Sequence, residues 1–211
     1  MKTSRLASIA SVATIACLCG SASADAFFGD VGSSASQTGA TYSGTLAYEF
    51  VSASLGELTI TLTNDTPNSV GGYLTAVAFR FDTLDNSAWT SLISTTASGL
   101  TNTGSVNGAP YGTFAGGIGT GGQFEGGGKP SNGIAPGASA TFVWAIHASD
   151  AALLNESSFL DATNSPGLVA RFRGLSNGGS DKVPGLAIPA PASLALAGFA
   201  GLISSRRRRS N

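Results

Sequence analysis

The chain has 211 residues, of which 11% are charged and 42% are hydrophobic, and glycine alone accounts for 29 of them. The charged fraction is well below the roughly 25% usual in globular proteins, but the apolar fraction is high enough for a packed core, which argues against a disordered chain. Between Asp25 and Lys182, twelve acidic residues face five basic ones, and this net charge of −7 argues against a nucleic-acid partner.

Residues 1–24 have the pattern of a cleaved secretory signal peptide. Two basic residues precede an apolar run from about Leu6 to Leu18, which is shorter than the roughly 20 residues of a membrane-spanning helix. A small-x-small signal peptidase site follows, formed by Ala22, Ala24 and Asp25. We therefore predict export, signal peptidase as a processing partner, and a mature chain that begins at Asp25. A buried N-terminal helix would explain neither the charges nor the small residues.

The only two cysteines, Cys17 and Cys19, fall inside this predicted signal peptide. Cleavage after Ala24 would leave a mature chain without disulfides, thiol nucleophiles or cysteine-bound metals. A lipoprotein that is cleaved before Cys17 and acylated there is the alternative. Thr14 stands three positions upstream of it, where a leucine is expected, so the pattern favours the ordinary signal peptide.

Period-two alternation of apolar and polar residues dominates the next 150 residues. Leu58, Ile60 and Leu62, for example, alternate with polar residues on one strand. Five strands are predicted in this way: Thr41–Val51 (with Tyr42, Leu46, Tyr48 and Phe50 on one face), Gly56–Thr63, Tyr73–Phe81, Ala140–His147 and Leu168–Phe172. Antiparallel sheets with one solvated face produce this alternation. The sequence therefore predicts an all-β ectodomain over residues 25–186, an antiparallel, jelly-roll-like β-sandwich.

Two exceptions interrupt the predicted strands. Short helical turns are expected only at Asp150–Leu154 and Asn155–Leu160. Between residues 99 and 137, 14 of 39 residues are glycine, which predicts a long insert that is mostly structural or flexible. Parts of this insert are expected to fold back on the sandwich, because it contains four large apolar residues: Tyr111, Phe114, Ile118 and Phe124.

The sequence contains no recognisable catalytic constellation, and we predict neither an enzyme nor a cofactor. The stretch Gly126–Ser131 is similar to a phosphate-binding loop, but Gln123 and Pro130 occupy positions where that motif needs Gly and Ser or Thr. His147 is the only histidine and ends an apolar strand, where a structural role is expected. A zinc site would need cysteine or further histidine ligands, which the predicted mature chain lacks.

Two weaker candidates remain in the predicted ectodomain. Asp82, Asp85 and Asn86 could supply oxygen ligands to Ca²⁺, although the same residues commonly form turns, which is the interpretation we favour. Trp89 is a candidate exposed platform for carbohydrate, whereas Trp144 is expected in the core. Paired carboxylates for glycoside hydrolysis stay open, because such a pair need only be close in space.

The C-terminus, residues 187–211, has three parts. Ile188, Pro189, Ala190 and Pro191 precede an apolar run of about 14 residues, Ala192–Ser205. As a helix this run would reach about 21 Å, which is short of a hydrocarbon core of about 30 Å. A basic cluster ends the chain: Arg206, Arg207, Arg208 and Arg209. Such a cluster would stop transfer of an exported chain and stay cytoplasmic.

This order of motif, short hydrophobic helix and arginine cluster resembles the PEP-CTERM sorting signal of Gram-negative bacteria. Ala190 departs from it, because the family has glutamate at that position. The resemblance implies recognition by an exosortase-type membrane transpeptidase, removal of the tail, and delivery to the cell surface or to an exopolysaccharide-rich extracellular matrix. The ectodomain would then be a non-enzymatic surface or matrix protein. The alternatives are an exported carbohydrate-binding or carbohydrate-active module, and a membrane-anchored protein whose tail is never cut.

Overall fold

A computed structural model describes residues 24–160 and 166–188, and these form one β-rich unit. Within these ranges the strands are β1 (Ala24–Gly29), β2 (Tyr42–Ser52), β3 (Leu55–Asn64), β4 (Gly71–Phe79), β5 (Trp89–Thr95), β6 (Leu100–Asn102), β7 (Val106–Asn107), β8 (Thr113–Phe114), β9 (Gly116–Thr120), β10 (Ser139–His147), β11 (Leu168–Leu175) and β12 (Ser180–Ala187). The one α-helix there, α1, is short (Ser157–Leu160), and 3₁₀ turns lie at Val31–Ser33, Pro130–Asn132 and Ala151–Leu153. The five predicted strands and the predicted helical turns are confirmed.

Ten strands form one antiparallel sheet in the order β5-β10-β3-β2-β1-β12-β11-β4-β9-β6. The predicted all-β antiparallel fold is therefore confirmed. Its two five-stranded halves face each other as in a sandwich, but they are continuous through the pairing of β1 with β12, where Phe27 lies opposite Ala187. The sheet curls until its outer strands approach, and the Thr90 hydroxyl of β5 donates a hydrogen bond to the carbonyl of Ala115, next to β9.

The core lies between the two halves of the sheet and is rich in aromatic side chains. Trp144 of β10 meets Phe79 of β4 edge to face, with ring centroids 4.8 Å apart, and Tyr42 of β2 lies 6.2 Å from Phe172 of β11. All four side chains are buried. Burial of each side chain stabilises the folded state by about 1.5–3 kcal/mol. The edge-to-face geometry of Trp144 and Phe79 adds to this stabilisation. The predicted core position of Trp144 is thus confirmed.

One residue of the predicted apolar face behaves differently. Tyr42, Leu46 and Tyr48 are buried as expected, whereas Phe50 is 50% exposed. The alternation along β2 continues to Phe50, so it shares the predicted face, but the last four residues of the strand are all exposed.

The glycine-rich segment is structural, one of the two expected possibilities, and it contributes β6 and β9 to the main sheet. Strand β9 (GGIGT) is fully buried and pairs with β4 on one side and β6 on the other. On both sides of β9 in the chain, the expected folding back is confirmed. Phe114 and Phe124 pack on the outer face of the sheet against Val169, together with Tyr111. A second, smaller core therefore covers β4 and β11.

Glycine is required in β9 because the neighbouring backbone approaches closely. A Cβ atom at Gly119 would lie 2.5 Å from the carbonyl oxygen of Gln123, and one at Gly117 would lie 2.9 Å from the carbonyl oxygen of Val77. A side chain at Gly119 would push the covering segment off the sheet, and one at Gly117 would collide with the backbone of β4. The glycine content thus serves close packing between layers of backbone.

We expect Gly119→Ala to lower the free energy of unfolding by about 1–3 kcal/mol, because the added methyl group overpacks against backbone that cannot rotate away. Urea denaturation measures the change. Gly127→Ala is the matched control from the same segment, since a Cβ there would meet its nearest atom at an ordinary 3.4 Å. Equal stability of the two variants would contradict this account of β9.

Candidate functional site

Three connections meet at one end of the sheet, which we call the loop end: residues 50–55, 80–88 and 148–156. The N–H of Ala148 donates to the carbonyl of Ser54 at 3.2 Å. The Tyr48 hydroxyl donates to the carbonyl of Ala151 at 2.8 Å, and burial, with a smaller contribution from Asp150, raises the pKa of Tyr48 to about 12. The phenol therefore stays a neutral hydrogen-bond donor that holds the third connection against β2.

Two aspartates tie the second connection to the third. Asp150 accepts hydrogen bonds from the Thr83 hydroxyl at 2.6 Å and from the N–H of Leu84 at 2.7 Å. Asp85 accepts from the N–H of Ser149 at 2.7 Å with one carboxylate oxygen. The charged form of a carboxylate is the better acceptor, so the bond from Ser149 favours ionised Asp85.

The calcium candidates Asp82, Asp85 and Asn86 are placed by the structure in this second connection. The Asp85 carboxylate accepts from both the N–H and the hydroxyl of Ser87, and these bonds, together with the one from Ser149, hold its pKa well below the usual range. Asp85 therefore forms a turn, as the favoured interpretation predicts. Among the described residues, no three His, Cys, Asp or Glu side chains are grouped so as to hold a metal ion.

Trp89 and His147 form the most distinctive feature of the loop end. They lie opposite each other on β5 and β10, and their rings stack in parallel with centroids 3.7 Å apart and planes 4° apart. Trp89 is nevertheless 55% exposed, which confirms the predicted exposed position. Because His147 covers one face of the indole, the exposed surface of Trp89 consists of the opposite face and the ring edge. The structural role expected of His147 is to support Trp89.

The stacked pair borders a shallow cavity of about 260 Å³. Its lining combines two rings with hydroxyl groups, backbone and one carboxylate: Ser54, Asp85, Ser87, Trp89, His147, Ala148 and Ser149. An aromatic surface beside convergent polar groups suits a ligand with an apolar face and hydroxyl groups around its edge. The sequence offered Trp89 as a candidate, but nothing in it could indicate the partnership with His147 or the serines.

The tip of the loop end is apolar, and we call it the apolar tip: Phe50, Val51, Leu84 and Leu153. Leu84 is 83% exposed and Leu153 is 70% exposed. Both lie beside Asp150, since Leu84 donates its N–H to that carboxylate and the N–H of Leu153 donates to the Asp150 carbonyl. Such a concentration of exposed large apolar side chains indicates an interaction surface.

The Gly126–Ser131 stretch lies on the opposite half of the sheet and serves packing. Lys129 precedes the three-residue 3₁₀ turn Pro130–Asn132, and Arg173 donates to the carbonyl of Gly128 at 3.3 Å. Nearby, Glu125 bridges Arg171 and Lys182. These contacts hold the glycine-rich segment against the outer face of the sheet. The carboxylate of Glu125 is half exposed, so each ion pair contributes little to stability.

The two predicted processing signals border the described domain. Ala24 and Asp25 of the signal peptidase site begin β1, opposite Ala47 and Leu46, and Ile188 follows β12 directly. The other predicted signal residues lie outside the described residues: Ala22, Pro189, Ala190, Pro191, Arg206, Arg207, Arg208 and Arg209. Within residues 24–160 and 166–188, no helix has the length and hydropathy needed to cross a membrane.

Comparison with known proteins leaves the family open. No protein-family model matches this chain. No curated protein matches it at a significant level. The functional argument therefore depends on the site itself.

We expect Asp85→Asn to loosen the loop end and to lower Tm by roughly 2–4 °C, because an amide N–H₂ would replace one of the two carboxylate oxygens. The pKa of Asp85 is lowered in the folded state, so its stabilising effect is present above the unfolded pKa near 4 and is lost as the pH falls through the lower folded value. Thermal unfolding of both proteins between pH 7 and pH 2 should show their Tm values converging in acid.

Asp65→Asn is the control for this measurement, because Asp65 is exposed in the turn after β3, at the other end of the strand. A loss of Tm equal to that of Asp85→Asn, or one independent of pH, would contradict the assigned role of Asp85.

Proposed function

We propose that this protein is an exported, non-enzymatic surface or extracellular-matrix protein that is sorted through its C-terminal segment. One observation carries the proposal: β12 ends at Ala187, and Ile188, the first residue of the motif that resembles a sorting signal, follows it directly. The N–H of Ile188 donates to the carbonyl of Ala26, so this residue is fixed beside the first strand. The motif thus begins at the last strand without a spacer.

The position of the signal peptidase site gives this proposal a required order of events. Ala24 and Asp25 flank the proposed scissile bond and pair with Ala47 and Leu46 of β2. A protease needs this bond in an accessible, extended segment, whereas the folded sheet holds it against a neighbouring strand. Signal peptide removal therefore precedes the pairing of β1 with β2. An exosortase-type transpeptidase would act later, at the membrane, on the residues after Ile188.

We expect mass spectrometry of the protein from native cells to find a mature N-terminus at Asp25 and a C-terminus close to Pro191. Pulse–chase labelling of a C-terminal tag should show the tag leaving the ectodomain with time. A lipid-modified Cys17 would contradict the signal peptide prediction. A tag that persists on the chain would contradict tail removal and support the uncut, membrane-anchored alternative.

Changing Ala190 tests the sorting motif itself. If the processing enzyme reads glutamate at this position, Ala190→Glu should accelerate loss of the tag. Exchange of Pro189 and Pro191 for alanine should slow it, whereas Ile93→Ala, a change on β5 far from the motif, should leave the rate unchanged.

A second function, carbohydrate binding at the Trp89 cavity, is favoured by a specific observation. The Trp89 indole is exposed on one side, is held upright by His147, and borders hydroxyl groups and the Asp85 carboxylate. The ring plane can pack against the C–H face of a pyranose, while polar neighbours bond its hydroxyl groups. Rigid support from His147 lowers the entropic cost of ordering the indole. Exopolysaccharide of the matrix is the natural partner of such a site.

We expect Trp89→Ala to weaken binding of the purified protein to polysaccharide at least 10-fold, since a central aromatic anchor dominates a small interface. Affinity electrophoresis against a panel of polysaccharides measures the change. Ile93→Ala is the matched control, because Ile93 is equally exposed on the same strand. Absence of binding in the unchanged protein would contradict this second function, and turnover abolished by replacing one Asp or Glu would contradict the non-enzymatic assignment.

A further inference from the structure

The last strand, β12, runs toward the loop end. Strand β12 is antiparallel to β1, and β1 is antiparallel to β2, so β12 and β2 run in the same direction. Strand β2 ends at residues 50–52, within the loop end. The end of β12, at Ala187, therefore faces the same end of the sheet as the apolar tip.

The distance from the last fixed residue to the apolar run is short. Ile188 bonds to Ala26, which lies opposite Thr45 on β2. From Thr45 to Phe50 the strand rises about 17 Å at roughly 3.4 Å per residue. Residues 189–192, fully extended, span at most about 14 Å. The apolar run that begins near Ser193 thus starts no further out than the level of Phe50.

This short connection leaves little freedom for the domain while the apolar run occupies a membrane. The loop end must then lie within about one linker length of the bilayer surface. The four large side chains of the apolar tip are the residues that this end presents, and Leu84 and Leu153 are the most exposed apolar side chains among them. Transfer of such side chains from water into an apolar phase is favourable.

The polar groups around the tip are compatible with a neutral surface. The carboxylates of Asp85 and Asp150 accept hydrogen bonds from the connections themselves, and Glu156 accepts from the N–H of Tyr48. In the described residues 50–55, 80–88 and 148–156, the only basic side chain is Arg80, and it donates to the carbonyl of Tyr111. The end therefore carries excess negative charge, which disfavours anionic headgroups.

We propose that, in the tail-anchored protein, the apolar tip rests on the bilayer that holds the tail and inserts Leu84 and Leu153 into the interface of neutral lipids. This inference rests on the proposed tail anchoring, but it concerns a different part of the chain. The contact is apolar and therefore resists salt, in contrast to polybasic membrane binding. It orients the domain with the turn after β3 away from the membrane, and release of the tail frees the tip.

The test uses the full-length chain with serine at positions 17 and 19, reconstituted into phosphatidylcholine vesicles. A single cysteine, Leu84→Cys or Leu153→Cys, carries an environment-sensitive fluorophore, and Asn68→Cys at the opposite end is the control position. We expect a blue shift, a gain in intensity and quenching by nitroxide lipids at positions 84 and 153, but not at 68. The response should persist in high salt and weaken as anionic lipid is added.

A second measurement separates specific contact from mere proximity. The fluorophore is placed at Val51→Cys, and Leu84→Ser with Leu153→Ser should abolish most of its response. Ile93→Ser, which removes an exposed apolar side chain elsewhere, should leave that response intact.

Alkaline extraction of the same vesicles distinguishes the two possible failures. If the chain resists extraction and positions 84, 153 and 68 respond alike, the inference about the tip is overturned and the anchoring stands. If alkaline extraction releases the chain, the anchoring and the inference fall together. If the tip responds only after polysaccharide is added, the loop end binds carbohydrate in place of lipid, and the inference is overturned.

Discussion

The pairing of β1 with β12 is the constraint on which the rest of this structure depends. It joins the two halves of the sheet, and it does so with the first and last strands that the structure describes. Because the sheet is continuous there, the halves can curl toward each other and bury Trp144 against Phe79. The same pairing fixes Ile188 beside Ala26, two residues from Ala24, so the two processing signals predicted from the sequence border one rigid feature.

The glycine-rich segment shows how a chain of low charge and high glycine content still builds a packed domain. Glycines in β9 allow backbone to approach backbone, and the aromatic residues between them fill a second core on the outer face of β4 and β11. Large side chains therefore come from Phe114 and Phe124, while glycine supplies the close approach. Because glycine and aromatic residues fill these packing roles, the segment has few polar side chains that could act in catalysis or binding.

At the loop end, hydrogen bonds replace regular structure. Asp85 and Asp150 each accept bonds from other connections, and the Tyr48 phenol fixes a third contact. These bonds present two different surfaces close together: a polar cavity beside Trp89, and an apolar tip at Leu84 and Leu153. The first suits a hydroxyl-rich ligand and the second suits an apolar phase. We assign a ligand type to each surface from the groups that remain exposed once the hydrogen bonds between the connections have formed.

The sequence alone determined the fold class, the five longest internal strands and the two helical turns, because period-two alternation and turn residues act locally. It also indicated the exposure of Trp89 and the burial of Trp144. It could not indicate β9, since glycine-rich strands carry no alternation, nor the exposure of Phe50, which depends on where the opposing layer ends. Only the tertiary structure decided that Asp85 bonds Ser149 across 64 residues and that His147 supports Trp89. Such contacts depend on strand order, and strand order is set by packing between residues far apart in the chain.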